Sequence, residues 1–105
     1  MLERRGLLHA AHVSGLECYV AAALHAGGCE LPVAERAARA LIGLAPFRER
    51  GHELLMETLA ARGNVAEALR VYEALRELLR EELGAAPSPA LRALQQQLLR
   101  SGQPV

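Results

Sequence analysis

No lysine and no aspartate occur in this chain: all 12 basic residues are arginine and all 12 acidic residues are glutamate, so the formal net charge is zero. Beside abundant Ala, Arg and Gly, that pattern fits the codon bias of a GC-rich genome. DNA binding by phosphate neutralisation needs a basic face. Here Arg and Glu interleave at spacings of three and four, which predicts ion pairs on solvated helix faces instead. The only aromatic residues are Tyr19, Phe47 and Tyr72, too few to stack a run of bases. Direct binding of nucleic acid is therefore not expected. Hydroxyl nucleophiles are limited to Ser14, Thr58, Ser88 and Ser101. No glycine-rich phosphate loop follows a strand-like segment. No apolar run approaches the ~18 residues of a membrane span, and His9, His12, Ser14 and Glu17 interrupt what would be the apolar part of a signal peptide. A cytoplasmic location is expected, with Cys18 and Cys29 as free thiols.

What is present is leucine and alanine, the bulk of a hydrophobic fraction of 51%. Few residues are β-branched, so strands are poorly supplied and the chain is expected to be all-α. A segment of the sequence also recurs. Ala34 and Ala68 lie 34 positions apart, and the same offset relates Arg36 to Arg70, Ala40 to Ala74, Leu41 to Leu75 and Leu44 to Leu78. This is the tetratricopeptide period, in which each repeat is a helix pair that buries its apolar face against a neighbour. The expected fold is tetratricopeptide-like: antiparallel helix pairs, about five helices in all, in a right-handed superhelical array. Residues 1–100 form the helical domain and 101–105 a flexible tail.

Glycine and proline mark the joints. A first helix over residues 2–26 carries Leu8, Ala11, Gly15, Cys18, Ala22 and His25 on one face, and ends at Gly27 and Gly28. Pro32 opens a second helix with Ala34, Ala37, Ala38, Leu41 and Leu44 inward, stopping before Pro46. A third begins at Phe47 and buries Gly51, Leu54, Leu55, Thr58 and Leu59. After Gly63 and Asn64, a fourth buries Val65, Ala68, Leu69, Tyr72, Leu75, Leu79 and Leu83, and Gly84 ends it. Ser88 and Pro89 then start a fifth helix, which folds back on the fourth through Leu91, Leu94, Leu98 and Leu99.

Site-like pairs have simpler structural explanations. His9 and His12 lack a third ligand at a recognisable spacing. His25 and Cys29 flank the glycines that break the helix between them, and Cys18 sits at an inward position as a small hydrophobe. Glu49 and His52 would need a nucleophile and an oxyanion site nearby to act as acid and base. Tyr72 and Met56 are expected in the core. No catalytic, metal or cofactor residue is assigned, and an enzyme is not expected. Arg48 and Arg50 sit at a helix start, where positive charge opposes the helix dipole. They are candidates for contact with a partner's carboxylates.

From Leu44 to Leu99 the chain closely resembles the bacterial transcriptional activation domain of the Streptomyces antibiotic regulatory protein (SARP) family. The marks are Pro46, Glu49, Leu55, Met56, Gly63, Glu67, Ala68, Leu69, Tyr72, Leu75 and Arg76. Glu82, Leu83, Gly84, Pro87 and Leu91 complete them. Two features depart from the family: Ala45 replaces an acidic residue often found before the proline, and the helices that usually join this domain to its neighbour are missing. The resemblance implies a helical domain that follows a winged-helix DNA-binding domain and activates transcription with it. No winged helix is recognisable in these 105 residues, so the chain is expected to be the C-terminal part of a larger regulator or a separately encoded remnant. Implied partners are proteins: a second copy, the DNA-binding domain, and the transcription machinery including RNA polymerase. The stripe Leu8, Ala11, Gly15, Cys18 and Ala22 is the candidate face of a homodimer. A free-standing helical adaptor unrelated to transcription is the other reading.

Overall fold

A computed structural model describes residues 2–102. It contains α1 (Leu2–Ala26), a single 3-10 turn (Gly28–Glu30), α2 (Leu31–Leu44), α3 (Glu49–Ala61), α4 (Val65–Leu83) and α5 (Pro89–Ser101), with no strand among the described residues. Short connections make successive helices antiparallel neighbours. α1 packs on α2, α2 on α3 and α3 on α4, while α3 also touches α1 and α5. The smallest principal dimension is 17 Å. That suits two layers of helices packed about 8–10 Å apart.

The joints lie where glycine and proline predict them. Gly84 adopts φ 61, the left-handed conformation that costs glycine least. Its N–H donates to the Arg80 carbonyl, and the Ala85 N–H donates to the Leu79 carbonyl at 3.1 Å, closing α4. The Asn64 side chain accepts from the Glu67 N–H, and the Ser88 hydroxyl from the Leu91 N–H, so α4 and α5 both start on a capping oxygen. α3 has no side-chain cap. It begins at Glu49, two residues later than the sequence predicts, because Arg48 is extended and its N–H closes a turn onto Ala45.

The 34-residue repeat is a repeat of environment. Ala34 and Ala68 are both fully buried, as are Leu41 and Leu75, whereas Arg36, Arg70, Ala40 and Ala74 all face water. Tyr72 is buried at the place in the second pair that Ala38 holds in the first. The core is consequently unequal. Around α3 and α4 it is built from Leu54, Leu55, Met56, Leu59, Tyr72, Leu75 and Leu79, but between α1 and α2 from Val13, Val20, Ala23, Ala34, Ala38 and Leu41.

Four expectations need correction. α1 turns Val13, Val20 and Ala23 inward, with Leu16 and Leu24 packed beside them. Leu8, Ala11, Gly15, Cys18, Ala22 and His25 face solvent, so Cys18 is not an inward residue. The helix is apolar on nearly every side, so a spacing of three and four fits more than one stripe, and the bulkier valines fill the core better than Ala or Gly. For the same reason the segment Gly6–Ala26 is long and apolar enough to cross a membrane by length and composition, contrary to the count of uninterrupted apolar residues. Here it is the first packed helix. Leu44, Leu83 and Leu99, expected inside, are exposed, each in the last turn of its helix. Finally, α5 continues through Ser101, whose hydroxyl donates to the Leu98 carbonyl, and Gly102 ends the helix; residues 103–105 of the expected tail lie outside the described residues.

Candidate interaction surface

The outer face of α1 is not covered by any other part of the described chain. Leu8, Ala11, Gly15, Cys18 and Ala22 line it, with Leu7 and Tyr19 projecting at 72% and 54% exposure. Space is open around Gly15, where an added Cβ would meet nothing within 4 Å. Toward the C-terminal end, Tyr19, Ala22 and Ala26 border a mostly apolar hollow that Glu30 closes.

Arg48 and Arg50 are engaged within the chain. Arg48 grips Glu17 of α1 with Nε at 2.7 Å and Nη2 at 2.9 Å, the two-pronged geometry of a strong guanidinium–carboxylate pair. This tie fastens the middle of α1 to the turn before α3. Arg50 pairs with Glu53 one turn along α3. The same local logic recurs in Arg39–Glu35, Arg70–Glu67 and Arg76–Glu73, as the interleaved charges predict. Arg62 also reaches Glu35 across 27 residues, at 2.7 Å.

Glu49 and His52 do separate structural jobs. The Glu49 carboxylate accepts the Ser88 N–H at 3.0 Å, joining the start of α3 to the start of α5. His52 is buried, and its Nε2 donates to the Pro46 carbonyl at 2.8 Å. Burial holds the imidazole pKa below its ordinary 6.5, against the opposing pull of the Pro46 carbonyl and of Glu49. An unfolded chain thus takes up a proton near pH 6.5 that the folded chain refuses until lower pH. Stability should be full above pH 6.5 and decline as pH falls from there toward the folded pKa. Urea melts between pH 7.5 and 5.5 check this: the decline should flatten in His52→Gln, which retains an N–H for Pro46.

The hydroxyl groups are likewise accounted for. Thr58 donates to the Leu54 carbonyl at 2.7 Å, Ser88 caps α5, Ser101 bonds backward, and Ser14 lies in solvent. Among the described residues no three His, Cys or Glu side chains gather as a metal site would require. Met56 and Tyr72 are core residues.

A groove runs across α1, α3 and α5 that the sequence does not announce. Ala21, Leu24 and His25 of α1 meet Arg50, Leu54 and Glu57 of α3 around one hollow. A second, between α3 and α5, is bordered by Glu53, Glu57, Ala90, Ala93, Leu94 and Gln97. A third, around Glu49, Arg50, Glu53 and Ser88, adjoins them. Its walls come from stretches far apart in the chain. The only local signal is the pair Glu53 and Glu57, which reads as an ordinary solvated helix face.

Comparison with known proteins agrees with this architecture. Residues 1–99 match the family described as bacterial transcriptional activator domain. A 64-residue stretch covering 61% of the chain is 52% identical to regulatory protein AfsR of Streptomyces griseus. A 62-residue stretch covering 59% of it is 50% identical to regulatory protein AfsR of Streptomyces coelicolor. The matched stretches span only 7% and 6% of the length of those relatives. No solved structure matches significantly. With the family match extending from residue 1 to residue 99, this chain belongs to the bacterial transcriptional activator domain family of SARP-type regulators.

Proposed function

We propose that the chain is the regulatory and protein-interaction domain of a cytoplasmic transcriptional regulator. In this reading it pairs with a second copy through the outer face of α1 and contacts the DNA-binding domain and the transcription machinery, RNA polymerase included. DNA is read by a domain other than this one. The observation that carries the reading is the continuous exposed face Leu8, Ala11, Gly15, Cys18 and Ala22, since contiguous exposed apolar surface marks interaction sites. A two-fold contact uses the same patch on both chains. Centred on Gly15, an antiparallel pair of α1 helices sets Leu8 of each copy against Ala22 of the other, with close approach allowed at the glycine. Arg48 and Arg50 leave 48% and 46% of their side chains in water while paired, so free N–H donors remain for a partner's carboxylates.

Fusion to a DNA-binding domain that binds as a monomer tests the activity. The parent chain should raise transcription of a reporter, and Gly15→Arg should abolish the rise. In sedimentation at tens of micromolar the parent should be a dimer and the variant a monomer of unchanged helical content. A silent parent fusion would sink the activation reading, and a monomeric parent would sink the pairing.

A further inference from the structure

We propose that Leu8 of a second copy fills the hollow beside Tyr19 near the C-terminal end of α1, and that this knob and hollow fix the pair as antiparallel and closed at two chains. This rests on the α1 pairing proposed above, and adds to it a register and an anchoring side chain.

Leu8 is 65% exposed, so its isobutyl group has almost no cover from its own chain. The hollow lies further along the same helix, bordered by Tyr19, Ala22, Ala23 and Ala26 with Glu30 at its end, and has a volume of about 340 Å³. Its lining is mostly apolar. An apolar cavity of about 150 Å³ holds a benzene molecule, so a leucine side chain has room here. At 3.6 residues per turn, Leu8, Gly15, Tyr19, Ala22 and Ala26 fall within a sector of about 60° around the helix. Knob and hollow therefore face the same way. They are also about 21 Å apart along the axis, at 1.5 Å per residue. A chain cannot fill its own hollow, whereas a second chain running the opposite way can.

Side-chain size selects the register. Leu8 lies seven residues before Gly15 and Ala22 seven after it, while Ala11 and Tyr19 lie four to either side. With the two-fold axis at Gly15, Leu8 of each copy meets Ala22 of the other, and Tyr19 meets Ala11. Every bulky side chain then faces a small one, the arrangement in which facing layers interdigitate. Gly15 crosses Gly15 at the centre, where an added Cβ would meet nothing of its own chain within 4 Å and the space is left to the other helix. A parallel pair instead sets Leu8 on Leu8 and Tyr19 on Tyr19, and leaves both hollows empty. In the antiparallel pair each copy gives one leucine and one hollow, so the contact uses the same patch twice and closes at two chains.

The test is disulfide cross-linking of the full 105-residue chain, with Leu8→Cys and Ala22→Cys each carried in a Cys18→Ser, Cys29→Ser background that sediments as the parent does. A disulfide needs Cα atoms within about 7 Å. Oxidising a mixture of the two chains should give a covalent heterodimer, identified by mass. Leu8→Cys alone should stay uncross-linked, because its two thiols lie about 21 Å apart in the antiparallel pair. In sedimentation, Leu8→Ala should raise the dimer dissociation constant tenfold or more, since each dimer loses two buried leucine side chains, with helical content unchanged. Leu83→Ala, which truncates a leucine of similar exposure on α4, should leave the dimer as it was. The proposal is overturned if the mixture gives no heterodimer, if Leu8→Cys cross-links to itself as readily, or if Leu8→Ala pairs as tightly as the parent. A dimeric parent whose Leu8→Cys variant cross-links to itself removes this register and leaves the α1 pairing standing, whereas a monomeric parent removes both.

Discussion

Leu75→Ala is expected to destabilise the chain by about 2–5 kcal/mol, because a large-to-small change in a core loses transfer free energy and leaves a cavity. Leu75 is fully buried on α4, among side chains of the fuller part of the core. For a domain of this size each kcal/mol moves the melting temperature by roughly 4–8 °C, and total stability is typically only about 5–15 kcal/mol. The variant should therefore melt at least several degrees below the parent or fail to fold. Leu83→Ala is the control, since Leu83 lies on the same helix but is 58% exposed. Its melt should be close to the parent's. A Leu75→Ala melt within about a degree of the parent's would place Leu75 in water.

Gly51→Leu should cost about 1–3 kcal/mol through overpacking. Gly51 is buried where α3 passes close to α2: a Cβ there would sit 3.2 Å from Leu41 Cγ and 3.4 Å from Ile42 Cγ1. Glycine in a helix interior lowers stability by about 1 kcal/mol relative to alanine; Gly51 lies in the first turn of α3, so Gly51→Ala gains part of that while pressing lightly on Leu41. The two effects should nearly cancel, leaving the alanine variant near the parent. A chemical melt of both variants separates the cases, and a stable Gly51→Leu would mean that α2 and α3 can move apart freely.

The pattern of what was legible follows from the range of the physics involved. Helix ends were legible because Gly27, Gly84, Ser88 and Pro89 act on backbone within a turn of themselves. The inward face of α4 is legible up to Leu79 because polar and apolar residues separate cleanly around it, whereas α1 offers little polar contrast to choose a face by. Long-range polar ties were not legible. Arg48 meets Glu17 across 31 residues and Glu49 meets the Ser88 N–H across 39, with no local spacing to flag either. From the sequence Arg48 reads as an unpaired cation at a helix start, because its carboxylate lies on another helix. The groove escaped for the same reason. Glu53 and Glu57 lie one helical turn apart on α3, but their half-buried setting is completed by α5, more than thirty residues later.

The unequal core has a consequence for how the chain opens. Packing between α1 and α2 depends on valine and alanine, whereas α3 and α4 meet through leucine, methionine and tyrosine. Proteins open in cooperative units whose free energies follow their buried apolar contacts. Amide protons in α3 and α4 should outlast those of α1 in hydrogen exchange, and limited proteolysis should release the first helix while the remainder stays folded. The helix bearing the exposed apolar face is then also the one most readily lifted from its own chain, and a partner that captures it can exchange helices as well as cover them.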